Sequence, residues 1–110
     1  MRRNDMDRIY HKIIESPHLY DITFFSYQVN SSDISRSYID LHMEKDGDLR
    51  KLRFWAPQDL EIEKGFPYST GGMFIEDVSS HQLDGINVYV GDFESNYGSV
   101  TFWAKRVEQL

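Results

Sequence analysis

The chain has 110 residues and a formal net charge of −6, and it contains no cysteine. This length predicts a single domain, residues 1–110, around one hydrophobic core. Without cysteine the chain can form no disulfide, thiolate nucleophile, iron–sulfur cluster or cysteine-ligated zinc site. Hydrophobic residues make up 40% and charged residues 27% of the chain, which is typical of a folded domain and excludes a disordered tail.

The acidic residues are concentrated in the second half. Between residues 57 and 104, eight acids stand against one base, Lys64, whereas the rest of the chain carries eleven bases and ten acids. Phosphates are neutralised by Lys and Arg, so we expect no nucleic-acid partner there. No run approaches the ~18 apolar residues of a membrane helix, and the first fifteen residues lack the apolar core of a signal peptide. We therefore expect a cytoplasmic protein that binds no membrane.

Residues 5–15 have the apolar spacing of an amphipathic helix. Asn4 is a suitable N-cap, and Pro17 would end the helix because the residue before a proline disfavours helical geometry. The apolar stripe is formed by Met6, Ile9, Tyr10, Ile13 and Ile14.

The apolar period changes from helical to two after Pro17. In residues 19–29 the apolar set switches phase, which predicts a bulge, or a strand covered on both faces, near Phe24-Phe25. Residues 37–44 and 49–56 alternate cleanly around a Lys45-Asp46-Gly47-Asp48 turn and predict a β-hairpin. Its inward residues are Ile39, Leu41, Met43, Leu52, Phe54 and Ala56.

Pro57 ends this hairpin, and residues 59–63 alternate as a short edge strand would. Further strands are predicted at 73–78, 85–90 and 99–107, separated by glycine turns. The predicted fold class is α+β and mostly β. An N-terminal helix precedes six or seven mainly antiparallel strands, which form a curved sheet, a small sandwich or a half-barrel.

No motif predicts catalysis, a cofactor or a metal. Residues 65–85 contain the glycine pair Gly71-Gly72, but a strand-like run follows it where a phosphate loop has a helix, and the nearest lysine, Lys64, precedes the loop. Ser79-Ser80-His81 with Asp84 supplies the residue types of a hydrolase triad without a nucleophile elbow, so a polar turn capped by Asp77 is favoured. His42 and Glu44, with Asp46 and Asp48 close by, have the residue types of a metal site, but Asp46-Gly47-Asp48 lacks the twelve-residue ligand ladder of a calcium loop, so a solvated strand face and hairpin turn are favoured.

Two features predict a protein-binding surface instead. Trp55 and Trp103 each fall on the strand face opposite the main apolar set, where they would be interface anchors if exposed and a second core layer if covered. The acids of the second half would form a negative surface that steers a basic partner, or would only provide solubility and protect strand edges. The candidate acidic residues are Glu61, Glu63, Glu76, Asp77, Asp92 and Glu94.

The second half also resembles small bacterial β-rich proteins that look like immunity proteins of toxin systems. The resemblance rests on LRFW (52–55), IEDVS (75–79), INVYVGDFE (86–94) and GSVTFWA (98–104). It implies a cytoplasmic protein that binds and neutralises a partner, and it carries over no specific residue.

We therefore expect a non-enzymatic protein-binding domain whose acidic second half binds a basic partner. The alternative is a small-ligand-binding or enzymatic β-domain with a pocket lined by Tyr, Phe and Trp and roofed by residues 65–72. A third hypothesis is a homodimer that buries an exposed apolar face.

Overall fold

The computed structural model describes residues 8–67, 71–93 and 97–110, and these residues form an all-β structure. Two four-stranded antiparallel sheets are present: sheet 1 has the order β1-β2-β3-β8, and sheet 2 the order β4-β7-β6-β5. The prediction of antiparallel strands is confirmed. The strands are β1 (Asp21–Gln28), β2 (Tyr38–Lys45), β3 (Asp48–Trp55), β4 (Gln58–Ile62), β5 (Met73–Asp77), β6 (Val88–Asp92), β7 (Val100–Ala104) and β8 (Arg106–Gln109).

The predicted N-terminal helix is wrong, and with it the α+β class. Residues 5–7 lie outside the described residues, residues 8–16 are not helical, and residues 9–11 instead lie along the edge of β5. The His11 N–H donates to the Ile75 carbonyl and the Asp77 N–H donates to the Ile9 carbonyl, each at 2.8 Å. The apolar spacing was real, but a helix of this length is marginal alone, whereas an open strand edge offers backbone partners.

The core lies between the two sheets. Sheet 1 contributes alternate residues of β2 and β3, and sheet 2 contributes alternate residues of β5, β6 and β7, all in one buried cluster. Phe54 of β3 meets Phe102 of β7 edge to face, with ring centroids 5.0 Å apart. The inward residues predicted for the hairpin are confirmed except Ala56: Ile39, Leu41, Met43, Leu52 and Phe54 are fully buried.

Two strands pass from one sheet to the other without a loop. β3 continues into β4 through Ala56-Pro57, and β7 continues into β8 through Lys105. Trp55 pairs with Arg106 in sheet 1, and beyond the two bends Gln58 pairs with Trp103 in sheet 2, so the same two strands remain neighbours in both sheets. The predicted strand 99–107 is therefore two strands. Ala56 bends the chain with a φ of 52°, and such bends carry strands between sheets.

The local strand predictions are largely confirmed. β2 and β3 form the predicted hairpin around Asp46-Gly47. β1 carries the predicted bulge slightly earlier than expected, between Ile22 and Phe24. Residues 59–63 were predicted as an edge strand, and β4 lies at the edge of sheet 2. Within the described residues, no helix has the length and apolar character needed to cross a membrane.

Candidate binding sites on the outer faces of the sheets

The two tryptophans lie on the outer faces of different sheets. β-strand alternation turns Phe54 and Phe102 into the core, so their neighbours Trp55 and Trp103 point away from it. Both indoles are half-buried. The structure therefore does not bring Trp55 and Trp103 into one site, although each lies on the outward face that the sequence predicts.

Four aromatic side chains form a row across the outer face of sheet 2. Phe93 lies 4.7 Å from Phe74, Phe74 lies 5.8 Å from Tyr89, and Tyr89 lies 4.2 Å from Trp103, measured between ring centroids. Tyr89 and Trp103 are directly opposite each other on β6 and β7. Cross-strand aromatic pairs of this kind stabilise a sheet.

At the Trp103 end of this row, acids border the rings. Asp59 and Glu61 of β4 are exposed and line a shallow cleft of about 410 Å³ together with Tyr89 and Trp103. None of the described residues that line this cleft is basic. We call these four residues, Asp59, Glu61, Tyr89 and Trp103, the acidic–aromatic face.

The Tyr89 phenol is neutral at physiological pH. Burial raises the pKa of this phenol above the usual value; Arg8 opposes this rise in part, and the negative charges of Glu61 and Asp92 each add a smaller increase. The phenol therefore keeps its proton beside the acids and can donate a hydrogen bond.

The other end of the row is closed by a cation. The Arg8 guanidinium lies 4.1 Å from the Phe74 ring centroid and 4.9 Å from that of Phe93. Its Nε is 3.6 Å from a carboxylate oxygen of Glu76, whose side chain is only 1% exposed. The sequence predicts Glu76 as part of an exposed acidic surface, but its carboxylate is buried and faces Arg8 instead.

The remaining acids predicted for the surface are dispersed. The Asp77 carboxylate accepts hydrogen bonds from the Ser79 N–H at 2.9 Å and the Ser79 hydroxyl at 2.6 Å, so it caps the turn as the alternative reading predicted. Glu63 follows the end of β4, and Asp92 ends β6, both half-buried. Glu94 lies outside the described residues.

Trp55 has a cationic environment on sheet 1. The guanidinium of Arg106 lies 5.1 Å and that of Arg53 5.7 Å from its ring centroid. Arg53 also covers the Tyr38 ring at 3.9 Å and donates two hydrogen bonds to Asp40, which raise its pKa. Trp55 is therefore separate from the acids with which it was grouped. Strand alternation in the hairpin predicts the cross-strand pair of Arg53 and Asp40. It does not predict that β8 pairs with β3 and brings Arg106 next to Trp55.

A second cleft, which we call the N-terminal cleft, lies between residues 10–18 and sheet 2 and has a volume of about 530 Å³. The sequence predicted a pocket under residues 65–72 instead. In that segment the Phe66 ring centroid lies 5.4 Å from that of Phe25, and Phe66 packs against the core. Residues 68–70 lie outside the described residues. The N-terminal cleft was missed because the segment forming it was interpreted as a helix.

Within the described ranges, no group of three or more His, Asp or Glu side chains is placed to hold a metal ion. No protein-family model, curated protein or solved structure matches this chain.

Proposed function

We propose that this chain is a non-enzymatic protein-binding domain that binds a basic partner through the acidic–aromatic face. One observation carries the proposal: the half-buried Tyr89–Trp103 pair lies in a cleft beside two exposed carboxylates, and none of the described residues that line this cleft is basic. Large rings in a partly desolvated setting supply most of the binding energy at protein interfaces.

The charges give this face its specificity. Asp59 and Glu61 would attract a lysine or arginine side chain and steer the approach of a positively charged partner. Such a cation would also find the faces of the Tyr89 and Trp103 rings, where cation–π attraction adds to the charge pairing. This surface is smaller than the one predicted from the sequence, because it keeps only Glu61 of the six predicted acids and adds Asp59.

An immunity-like role is the more specific form of this proposal. It is supported by the resemblance of the second half to small bacterial immunity-like proteins, and by an outer face whose chemistry suits a basic protein. The partner would then be a toxin that the domain neutralises, and the product of the adjacent gene is the first candidate to test.

The test is co-expression with the product of the gene adjacent to the one that encodes this chain. We expect the two proteins to copurify and the complex to weaken as salt is raised. The double substitution D59N/E61Q should weaken binding at least about tenfold by titration calorimetry, because two charge-assisted contacts are lost. Asn suits position 59, where φ is 56°, since it tolerates the left-handed region.

Trp103→Ala should also abolish most of the binding. The matched control is Glu44→Gln, an exposed acid on sheet 1, which should leave the affinity unchanged. Loss of binding by the control to the same extent, or full binding by D59N/E61Q and Trp103→Ala, would contradict the proposed face. A neighbouring product that does not bind at all would contradict the immunity-like role.

A further inference from the structure

The N-terminal cleft has an apolar interior. Its apolar lining comes from Tyr10, Ile14, Pro17, Ile75 and Phe93. Ile14 and Ile75 are almost fully buried members of the core, whereas the Tyr10 and Phe93 rings at the rim are 52% and 53% exposed. A hydrocarbon body placed between these rings would remove apolar surface from water, which is favourable. The volume of about 530 Å³ is within the range of small-molecule sites, roughly 300–1,000 Å³.

Among the described residues, the polar lining of the cleft contains three basic side chains, His11, Lys12 and His18, and one acid, Glu15, in a chain whose overall net charge is −6. Asp77, which lies close enough to influence His11 electrostatically, is engaged by the backbone and hydroxyl of Ser79.

The His11 ring has one N–H group, at Nε2, that can donate a hydrogen bond. Its Nδ1 accepts the Ile13 N–H at 3.1 Å, so the neutral ring carries its proton on Nε2. Burial lowers the pKa of His11, which supports this neutral form. Together with the Lys12 ammonium, the Nε2–H provides two kinds of donor, and carboxylates accept such bonds strongly.

We propose that the N-terminal cleft binds a small monocarboxylic acid with an apolar body, its carboxylate held by His11 and Lys12 and its body lying between Tyr10, Ile75 and Phe93. This site is separate from the acidic–aromatic face and does not depend on it. A cationic ligand would be repelled by the Lys12 ammonium and would meet a donor, not an acceptor, at His11 Nε2, and a neutral apolar ligand would leave the donors of the cleft unused.

The experiment is an NMR titration of the ¹⁵N-labelled chain with 4-phenylbutyrate, with 4-phenylbutyramide as the uncharged analogue and acetate as the analogue without an apolar body. We expect saturable shifts at residues 10–18 and at Ile75 and Phe93 with the acid, at least about tenfold weaker binding of the amide, and no saturation with acetate. Lys12→Glu should weaken binding of the acid by roughly threefold to tenfold.

The matched control is Lys105→Glu, an exposed lysine between β7 and β8, which should leave the affinity unchanged. His11→Asn should weaken binding too, and if that variant fails to fold, Lys12→Glu decides alone. Equal binding of acid and amide, equal loss in both lysine variants, shifts confined to other residues or no saturable shift would each overturn the proposal. None of these results bears on D59N/E61Q, so failure here is distinguishable from failure of the proposed function.

Discussion

At the scale of single residues, His11 shows how the fold sets a chemical state. It is half-buried beside β5, and its Nδ1 accepts the Ile13 N–H. Protonation of Nδ1 would break this hydrogen bond and place a charge in a poorly solvated position. Burial lowers the pKa of His11, with a smaller opposing effect of Asp77. The folded state therefore prefers the neutral ring.

This preference predicts a pH dependence of stability. Below about pH 6.5, the unfolded chain protonates His11 while the folded chain does not. The unfolded state then binds more protons, so the free energy of unfolding falls as the pH falls from about 6.5 toward the lowered pKa. We expect this loss in urea denaturation curves between pH 7 and pH 5.

His11→Asn tests the assignment, since its amide oxygen can replace Nδ1 as an acceptor without titrating. The variant should show a flatter stability profile over the same interval. The lowered pKa of Asp77, caused first by its bond from the Ser79 hydroxyl, acts at lower pH, below about 4. An unchanged slope between pH 7 and pH 5 in His11→Asn would refute the role of His11.

At the scale of elements, the β2–β3 hairpin illustrates local determination. Its two-residue turn, Asp46-Gly47, has φ values of 51° and 85°, the left-handed pair that two-residue hairpins favour. A Cβ added at Gly47 would meet no atom within 4 Å. A side chain at this position would therefore lower the free energy of unfolding through backbone strain and not through contacts with neighbouring atoms.

We predict that Gly47→Ala lowers the free energy of unfolding by about 1 kcal/mol, because an L-residue resists the left-handed region. Gly47→Asn should cost less, since asparagine tolerates that region better. Asp46→Gly is the control and should change stability by about 0.5 kcal/mol or less. Urea denaturation measures all three, and a Gly47→Ala variant as stable as the parent would show that the turn does not require glycine.

The N-terminal segment illustrates the opposite case at this scale. Its apolar residues have helical spacing, yet Tyr10 pairs with Glu76 of β5 and Ile14 enters the core. The apolar spacing identifies which side chains are apolar but does not fix the conformation of the segment. The conformation is stabilised by backbone pairing with the edge of β5, which periodicity does not predict. The same error concealed the N-terminal cleft.

At the scale of the whole molecule, Phe54 and Phe102 join the two sheets. Both side chains are fully buried and meet edge to face at 5.0 Å. Each belongs to one of the two strands that continue from one sheet into the other. Their contact therefore links the two sheets within the shared core.

We predict that Phe54→Leu and Phe102→Leu each destabilise the protein by roughly 1–3 kcal/mol through lost volume and contacts. A double-mutant cycle should give a coupling energy of about 0.5–1.5 kcal/mol. Phe24→Leu, at an exposed ring stacked on His42, is the control and should cost about 0.5 kcal/mol or less. A coupling energy of zero in urea denaturation would mean that the pair does not hold the sheets together.

The candidate site was predictable only in part. Alternation placed Trp55 and Trp103 on outward strand faces, and the charge distribution located the acids of β4. Neither pattern shows that Glu76 is buried against Arg8 or that Trp55 lies among arginines, because these contacts join segments far apart in the chain.

The sequence by itself determined the antiparallel hairpin, its turn, the bulge in β1 and the inward residues of the hairpin except Ala56, because side-chain alternation and turn geometry act over a few residues. Only the tertiary structure decided the all-β class, the bends at Ala56-Pro57 and Lys105, and the placement of the two tryptophans on different sheets. Those features depend on which strand edges and apolar faces come into contact. Such contacts form between segments that are far apart in the chain, so local sequence patterns do not predict them.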